Sequence, residues 1–162
     1  MKCFSVLLAA VLALSMIAAA QTKGDLVGVW RLVSATSTRP NGERVPLYGN
    51  NPSGQLTYTR EGRMSVVLVD GARKPLSTQD RQSAPAAERA EAFSNFNAYA
   101  GRYTFQGDRV IHHVEIALFQ NWVHTDQVRF ATLKGDRLTL RTGPVPLRGE
   151  QRVQELVWER VK

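Results

Sequence analysis

The stretch GVWRLVSATST, residues 28–38, decides the fold class. Apolar and polar side chains alternate along most of it, with Trp30 and Leu32 on one face and Arg31 on the other. Because successive side chains of a strand point to opposite sides, this pattern predicts a strand that is buried on one face. The dipeptide Asn41-Gly42 follows it and supplies the positive φ angles of a tight turn. The segment is therefore predicted to open an antiparallel hairpin.

The same alternation recurs along the rest of the chain, between turn dipeptides. Strands are predicted at residues 28–38, 44–48, 55–59, 63–70, 102–106, 109–119, 124–134, 136–142 and 151–161. One helix is predicted after the fourth strand, where apolar side chains fall at helical spacing up to Gly101. These side chains are Ala86, Ala90, Phe93, Phe96 and Ala100. The segment GPVPLRGE, which contains two prolines, is predicted to be a loop.

This series of about eight or nine strands predicts an all-β fold. Antiparallel strands joined by short turns can close into an up-and-down β-barrel, which removes exposed sheet edges. We predict one such barrel over residues 21–162, and a two-sheet sandwich is the competing architecture. The helix between the fourth and fifth strands is predicted either to cover a barrel mouth or to pack on the outer wall.

Residues 1–20 have the composition of a signal peptide. Lys2 is followed by an apolar run from Cys3 to Ile17 and then by three alanines. This order of basic start, short apolar stretch and small residues predicts cleavage before Gln21. We expect a periplasmic or secreted protein without a membrane span after cleavage, because a helical span needs about 20 apolar residues. Since Cys3 is the only cysteine, we expect no disulfide and no thiolate metal site in the mature chain.

The charge and the motifs of the chain exclude several classes of function. The formal net charge is +7, but the basic residues are scattered, whereas nucleic-acid-binding proteins concentrate them beside aromatic platforms. We therefore predict no nucleic-acid partner. The sequence contains neither a G-x-S-x-G nucleophile elbow nor a glycine-rich phosphate loop followed by a helix. We accordingly expect no cofactor, and the sequence leaves the oligomeric state open.

Motifs near both ends of the predicted barrel resemble those of a known family. The first strand opens with GVW, residues 28–30, and the last ends with WER, residues 158–160. Together with the ordered segments PLYGNNPSGQLTYTREGRMSV, HHVE and NWVHTDQVR, they resemble the bacterial and fungal lipocalin-like domain family, a lipocalin or calycin type of barrel. The resemblance implies that Gly28, Trp30 and Arg160 close one barrel end, with the guanidinium over the indole in a cation–π contact.

The stretch IHHVEIALFQNWVHTDQVRF, residues 111–130, carries the candidate functional groups. His112 and His113 are adjacent, so they point to opposite faces of a strand and cannot both bind one metal ion. We predict no metal site. A regular hairpin here would place Glu115 opposite Arg129 and would gather one polar patch on a single face. Its members would be His113, Glu115, Gln127 and Arg129.

Two interpretations of this patch stay open. Outside the barrel, Glu115 and Arg129 would form a cross-strand ion pair that contributes about 0.2–1 kcal/mol. Inside, the patch would supply the few polar groups that orient a ligand in an apolar pocket. If the opposite, more apolar face is inside, His112 is the ionisable group there and could transfer a proton. His124 stands where similar sequences are expected to have glycine, so the turn at that point is expected to differ.

We expect an exported barrel that binds a small hydrophobic or amphipathic molecule in its cavity. The predicted ligand contacts are His112, His113, Glu115, Gln127, Arg129, Tyr58 and Trp122. One alternative is a cavity enzyme of the isomerase, cyclase or hydratase type, in which His112, or His113 with Glu115, transfers a proton. The other is a structural or interaction module with a filled barrel. Binding is favoured over catalysis, and no catalytic residue is assigned.

Overall fold

The computed structural model describes residues 21–162, and these residues form an antiparallel β-barrel. The strands within this range are β1 (Gly28–Thr38), β2 (Arg44–Pro46), β3 (Pro52–Tyr58), β4 (Arg63–Asp70), β5 (Phe96–Gln106), β6 (Arg109–Ala117), β7 (Asp126–Lys134), β8 (Arg137–Leu147) and β9 (Glu150–Arg160). A short helix α1 (Lys23–Leu26) precedes β1, α2 (Ala86–Ser94) precedes β5, and a 3-10 turn (Gln120–Trp122) precedes β7. The predicted signal peptide, residues 1–20, lies outside the described residues.

The sheet closes on itself through β1. This strand pairs antiparallel with β3 on one side and with β9 on the other, so that Trp30 lies opposite both Leu56 and Arg160. Eight strands thus form the closed wall, and β2 is an extra strand that pairs with the second half of β1. The predicted barrel with a helix after the fourth strand is confirmed. A sandwich is excluded because two separate sheets would leave β1 without one of these partners.

The apolar sides of the strands face the barrel interior. In β4 the buried residues are Met64, Val66 and Leu68, and they alternate with exposed ones. Removing such side chains from water stabilises the fold by about 25 cal/mol for each Å² of apolar surface. The alternation seen in the sequence is therefore the alternation between the inside and the outside of the wall.

Trp30 and Arg160 close one end of the barrel. The guanidinium lies 4.1 Å from the centroid of the Trp30 ring, and its Nη atoms donate to the carbonyls of Asp25 and Val27 at 2.7 Å each. At Gly28, where φ is 144°, an added Cβ would lie 2.7 Å from the Nη1 atom of Arg160. The structure thus places these three residues together, as the family resemblance implies, and the glycine gives the guanidinium room.

The helix after β4 is shorter than its predicted extent. It covers Ala86–Ser94, and Phe96 and Ala100 belong to β5 instead. In the sequence these two residues continue the helical spacing, but FNAYAGRY also alternates with period two. Pairing of β5 with both β4 and β6 buries Tyr99 and Tyr103 and satisfies the backbone, so tertiary contacts decide in favour of the strand. The predicted strand 102–106 was correspondingly too short.

The segment predicted as a proline loop is mostly strand. β8 continues to Leu147, and Pro144 and Pro146 pair with β9 in register after a bulge that follows Arg141. β7 pairs with β8 only as far as Arg141. One side of the later part of β8 is therefore an edge, where a proline does not deprive a neighbouring strand of a hydrogen-bond donor.

The helix α2 lies at the barrel end opposite Trp30. It leads into Phe96, which pairs with Val69 at the end of β4, whereas Trp30 lies at the start of β1. None of the residues of α2 is buried, so the helix does not plug the barrel. Among residues 21–162, no helix has both the length and the apolar character needed to cross a bilayer.

Candidate functional site

A narrow cavity lies inside the barrel, and the rings of Tyr48, Tyr99 and Trp122 form part of its lining. The part of it that admits the centre of a water molecule is only about 20 Å³. Since one water occupies roughly 10–15 Å³ on that measure, a larger guest requires side chains to move. The lining residues are Tyr48, Leu56, Val66, Leu68, Asn97, Tyr99, His112, Trp122, Arg129, Leu140, Gln154, Leu156 and Trp158.

His112 is the central polar group of the inner wall. Only 1% of its surface is exposed, and both of its ring nitrogens are engaged. Nε2 lies 2.6 Å from the hydroxyl of Tyr58, and Nδ1 lies 2.9 Å from the hydroxyl of Tyr99. A neutral imidazole has one N–H and one lone pair, so one tyrosine donates to the ring and the other accepts from it. In the tautomer protonated on Nδ1, Tyr99 accepts and keeps its own hydroxyl proton for a group in the cavity.

Burial keeps this cluster uncharged. Desolvation lowers the pKa of His112 well below its usual value of 6.5, and electrostatic repulsion from Arg129 and from the neighbouring His113 lowers it further. Desolvation also raises the pKa of Tyr58 well above 10 and that of Tyr99 in the same direction, although Arg129 opposes the rise for both. The network therefore consists of a neutral imidazole between two neutral phenols. Such a network fixes the position of each group more readily than it supplies a proton carrier.

Arg129 brings a positive charge to the same cavity. It lies on β7 with 8% of its surface exposed, and its Nη1 atom donates to the carbonyl of Val128 at 2.9 Å. Its charge acts on the tyrosines and on His112. Tyr48, at the mouth, has its pKa raised to about 12, mainly by burial. The inner wall thus combines apolar side chains with neutral hydrogen-bonding groups and a guanidinium.

The other half of the predicted patch lies outside the barrel. Nδ1 of His113 lies 2.7 Å from an Asp126 carboxylate oxygen, and its Nε2 lies 3.1 Å from the Thr104 hydroxyl. Glu115 accepts hydrogen bonds from the guanidinium groups of Arg63 and Arg102 on the outer wall. These contacts occupy both groups on the face away from the cavity.

The predicted register between β6 and β7 was wrong. His112 pairs with Gln127 and His113 with Asp126, whereas the sequence pattern suggested Glu115 opposite Arg129. The two registers differ by an odd number of residues, and such a slip exchanges the inner and outer faces of one strand relative to the other. Gln127 and Arg129 therefore lie on the inner face of the barrel wall with His112, whereas His113 and Glu115 lie on the outer face.

The cause of the shift is the connection between the two strands. It is longer than a two-residue turn and contains the 3-10 turn Gln120–Trp122. His124 has φ of 63°, the conformation that glycine adopts most readily. The residue that replaces the expected glycine therefore keeps a left-handed backbone, and its N–H donates to the carbonyl of Val114 at 2.9 Å.

The remaining predicted contacts lie at different depths. Trp122 lines the mouth, where its ring meets that of Tyr99 edge-on at 5.4 Å between centroids. Tyr58 lies behind His112 and does not line the cavity. The Gln127 amide donates to the Thr125 hydroxyl at 3.0 Å. Of the predicted residues, His112, Arg129 and Trp122 thus line the cavity.

Sequence analysis missed several polar or aromatic residues of the cavity wall. These are Tyr48, Asn97, Tyr99, Gln154 and Trp158. Tyr99 was hidden within the predicted helix, although the two tyrosines Tyr99 and Tyr103 share one parity, which is the buried face of the strand. In the last strand, Gln154 shares the parity of Trp158 and of Arg160, and the resemblance assigned Arg160 to the closed end. Tyr48 was assigned to the end of the predicted strand 44–48, but β2 ends at Pro46 and Tyr48 lies in the connection that follows it.

The described part of the chain contains no candidate metal site. No group of three or more His, Cys, Asp or Glu side chains in residues 21–162 is arranged to hold an ion.

Comparison with known proteins agrees with the architecture. A family model described as a lipocalin-like domain matches residues 27–161. The 4'-hydroxy-3'-methoxypropiophenone carrier protein ppsC of Aspergillus oryzae is 34% identical to this chain over 92 residues, which cover 51% of this chain and 83% of that protein. No solved structure matches the chain. The similarity thus extends to a protein named as a carrier, and it supports ligand binding in a barrel.

Proposed function

The chain belongs to the lipocalin-like domain family, and on that premise we propose that it binds a small hydrophobic or amphipathic molecule inside its barrel. The observation that carries this proposal is the make-up of the inner wall. Leu56, Val66 and Leu68 give it apolar surface, whereas His112 and Arg129 add fixed polar groups. Ligand sites commonly combine a mostly apolar lining with a few polar groups that set orientation.

The width of the cavity limits the guest to a small molecule that enters as side chains rotate. Tyr48 and Trp122 are partly buried and pack at the edge of the inner core, and we propose that their rings turn to admit the guest. His112, by contrast, is held at both nitrogens and forms a rigid floor. We infer a gate of aromatic side chains above a fixed polar group, an arrangement that suits a flat aromatic molecule.

The A. oryzae relative supports an aromatic guest. Its name states that it carries 4'-hydroxy-3'-methoxypropiophenone, a molecule with an aromatic ring, an apolar tail and polar oxygens. We propose a guest of the same general kind for this barrel, in which the ring contacts the apolar wall and an oxygen meets the polar groups. This compound is therefore the first probe to test.

The test is a fluorescence titration of the protein, residues 21–162, with 4'-hydroxy-3'-methoxypropiophenone. Trp122 and Trp158 line the cavity, so a bound aromatic guest is expected to change tryptophan emission in a saturable manner. Native mass spectrometry of the purified protein, followed by extraction of any bound molecule, identifies the natural guest.

Two adjacent positions provide a matched pair of variants for this titration. Val66 lines the cavity, whereas Val67 is on the outer wall with 41% of its surface exposed. We expect Val66→Phe to fill the cavity and abolish binding and Val67→Phe to leave binding unchanged, with folding of both checked by circular dichroism. Equal binding by the two variants would place the guest elsewhere. An absence of any saturable guest, together with no co-purifying molecule, would favour the filled-barrel interaction module.

The geometry supports binding more than catalysis. Both His112 nitrogens already contact tyrosine hydroxyls, and burial keeps the imidazole neutral. His113 and Glu115, the other predicted proton-transfer groups, contact outer-wall partners rather than the cavity. A proton-transfer role would require one of the tyrosine contacts to break when a substrate enters.

We propose that the protein acts outside the cytoplasm. The support is the order of Lys2, the apolar run to Ile17 and the alanines before Gln21. Expression of the full chain, fractionation of the cells and sequencing of the mature N-terminus test the proposal. An N-terminus at Gln21 in the exported fraction is expected, and an uncleaved chain in the cytoplasm would overturn it.

A further inference from the structure

Arg129 carries a buried charge for which the chain supplies no counterion. No salt bridge within residues 21–162 includes it, and residues 1–20 contain neither Asp nor Glu. The cation–π contacts in the described range use Lys23, Arg73, Arg109 and Arg160. Arginine stays protonated in proteins, and an unpaired charge is costly to bury. The carbonyl of Val128 only partly compensates for this cost.

A second buried arginine, Arg152, has its charge compensated by a carboxylate. Arg152 has the same exposed fraction as Arg129, 8%. Its Nε atom donates to a carboxylate oxygen of Glu150 at 2.8 Å, and Glu150 also pairs with Arg39. At equal burial, one arginine therefore has a carboxylate from the chain and the other does not. The difference lies in the position, because Arg129 lines the cavity.

Other groups on the cavity wall also offer donors without an acceptor. The Nε1–H of Trp158 is buried and has no hydrogen-bond partner among the described residues. Trp158 lines the same cavity as Arg129. In the tautomer of His112 protonated on Nδ1, the Tyr99 hydroxyl adds a third donor. A guest that satisfies this wall must bring acceptors, and the guanidinium favours an acceptor with negative charge.

We propose that the guest has a small apolar body and an anionic oxygen of the carboxylate type, which binds Arg129. This inference rests on the proposed binding function and specifies its ligand class. The carboxylate replaces the missing counterion through charge-assisted hydrogen bonds, and the apolar body packs against Leu56, Val66 and Leu68. The Trp158 N–H is a further donor for a second oxygen of the guest.

Two probes of nearly equal shape test this inference. 3-Phenylpropanoate ends in a carboxylate, and 4-phenylbutan-2-one replaces one carboxylate oxygen with a methyl group. Isothermal titration calorimetry on the wild-type protein is expected to show at least about tenfold tighter binding of the carboxylate, since hydrogen bonds to charged groups exceed neutral ones. In R129M this preference is expected to disappear, because the affinity for the carboxylate falls and the affinity for the ketone does not. R102M, which removes an outer-wall arginine, retains the preference.

Stability provides a readout that is independent of the probes. R129M removes a buried charge without a counterion and is expected to raise the urea midpoint of unfolding. R152M removes a buried arginine that is paired with the partly exposed carboxylate of Glu150, and it is expected to lower the midpoint. R129K, which keeps the charge in a similar volume, serves as a second variant and should keep a reduced preference for the carboxylate.

Each outcome decides between the proposals. Equal affinity of the wild type for both probes overturns the anionic ligand class and leaves the binding function standing. A lower urea midpoint in R129M with an unchanged carboxylate preference overturns the role of Arg129, which would then be structural. Binding of neither probe overturns this inference, whereas the binding function is decided separately by the titration with 4'-hydroxy-3'-methoxypropiophenone and by the search for a co-purifying molecule.

Discussion

His112 and His113 are neighbours on β6, and the barrel wall separates their environments. His112 has 1% of its surface exposed and lies between two tyrosine hydroxyls. His113 is partly exposed and lies between Thr104 and the carboxylate of Asp126. The same side chain is thus a neutral part of the inner core at one position and a member of a surface polar cluster at the next.

Two charged residues differ in the same way across the wall. Outside, Glu115 lies between Arg63 and Arg102, where solvent and opposite charges both compensate it. Inside, Arg129 forms no salt bridge with any carboxylate of residues 21–162. The comparison shows that residue type predicts little here until the face of the strand is known. Charge outside can be paired at small gain, whereas charge inside is costly unless it is paired, as Arg152 is with Glu150.

The largest expected effect comes from the closed end of the barrel. Trp30 is fully buried, and its Nε1 donates to the Leu26 carbonyl at 2.9 Å, whereas the next residue, Arg31, is on the outer wall and pairs with Glu159. We expect Trp30→Ala to lower the free energy of unfolding by about 3–5 kcal/mol through the cavity that it creates. Arg31→Ala should cost less than about 1 kcal/mol. Urea unfolding measures both, and similar losses would contradict the division into inner and outer faces.

The two histidines give the next largest difference. His112→Phe keeps an aromatic ring in place but leaves the hydroxyls of Tyr58 and Tyr99 without their partner, for an expected loss of about 2–3 kcal/mol. His113→Phe is expected to change the free energy of unfolding by less than about 1 kcal/mol, because its partners remain in contact with water. Equilibrium denaturation of both variants checks this, and an equal response would mean that the His112 contacts contribute nothing to stability.

The sequence was sufficient to predict the strands whose two faces differ strongly. β1 and β4 have the predicted bounds: the buried residues of β4 fall at alternate positions, and those of β1 do so on both sides of an irregularity at Val33. The prediction of β5 was wrong at its start because Phe96 and Ala100 fit helical spacing as well as a strand. Only the pairing of β5 with two neighbouring strands resolves that ambiguity. Local pattern thus predicts an element when a single period fits and fails when two periods do.

The candidate site was harder to predict because it depends on register. His112 was predictable as an inner group from the apolar face that it shares with Val110 and Val114. The β7 residues that share the face of His112 were not predictable, since the connection between the strands contains a 3-10 turn and His124 in the left-handed conformation. Arg129 was therefore assigned to the wrong neighbours. The sequence also could not show that Arg129 lacks a counterion among residues 21–162, because that requires the position of every carboxylate in the structure.

A third prediction concerns pH and His112. Its folded-state pKa lies well below 6.5, so the unfolded chain binds a proton at this residue over a range where the folded protein does not. The contribution of His112 to the free energy of unfolding is therefore complete above about pH 6.5. It declines as the pH falls towards the folded-state pKa, by up to about 1.4 kcal/mol per pH unit. We expect unfolding measured between pH 7 and pH 5 to show this decline in the wild type and in His113→Phe but not in His112→Phe. The same slope in all three proteins would assign it to other groups.

The smallest effect is expected at Glu115. It is the extra residue of the bulge opposite Ala100 and Gly101, and its hydrogen bond to Arg63 is the main cause of its lowered pKa. Glu115→Gln removes the charge but keeps the side-chain shape, so the midpoint of unfolding should fall slightly at low salt and match the wild type near 1 M NaCl, where charge interactions are screened. Because the wall separates Glu115 from the cavity, the affinity for 3-phenylpropanoate should stay within about twofold of the wild type. A larger loss of affinity would show that the outer charges reach the guest and that the wall does not insulate the two faces.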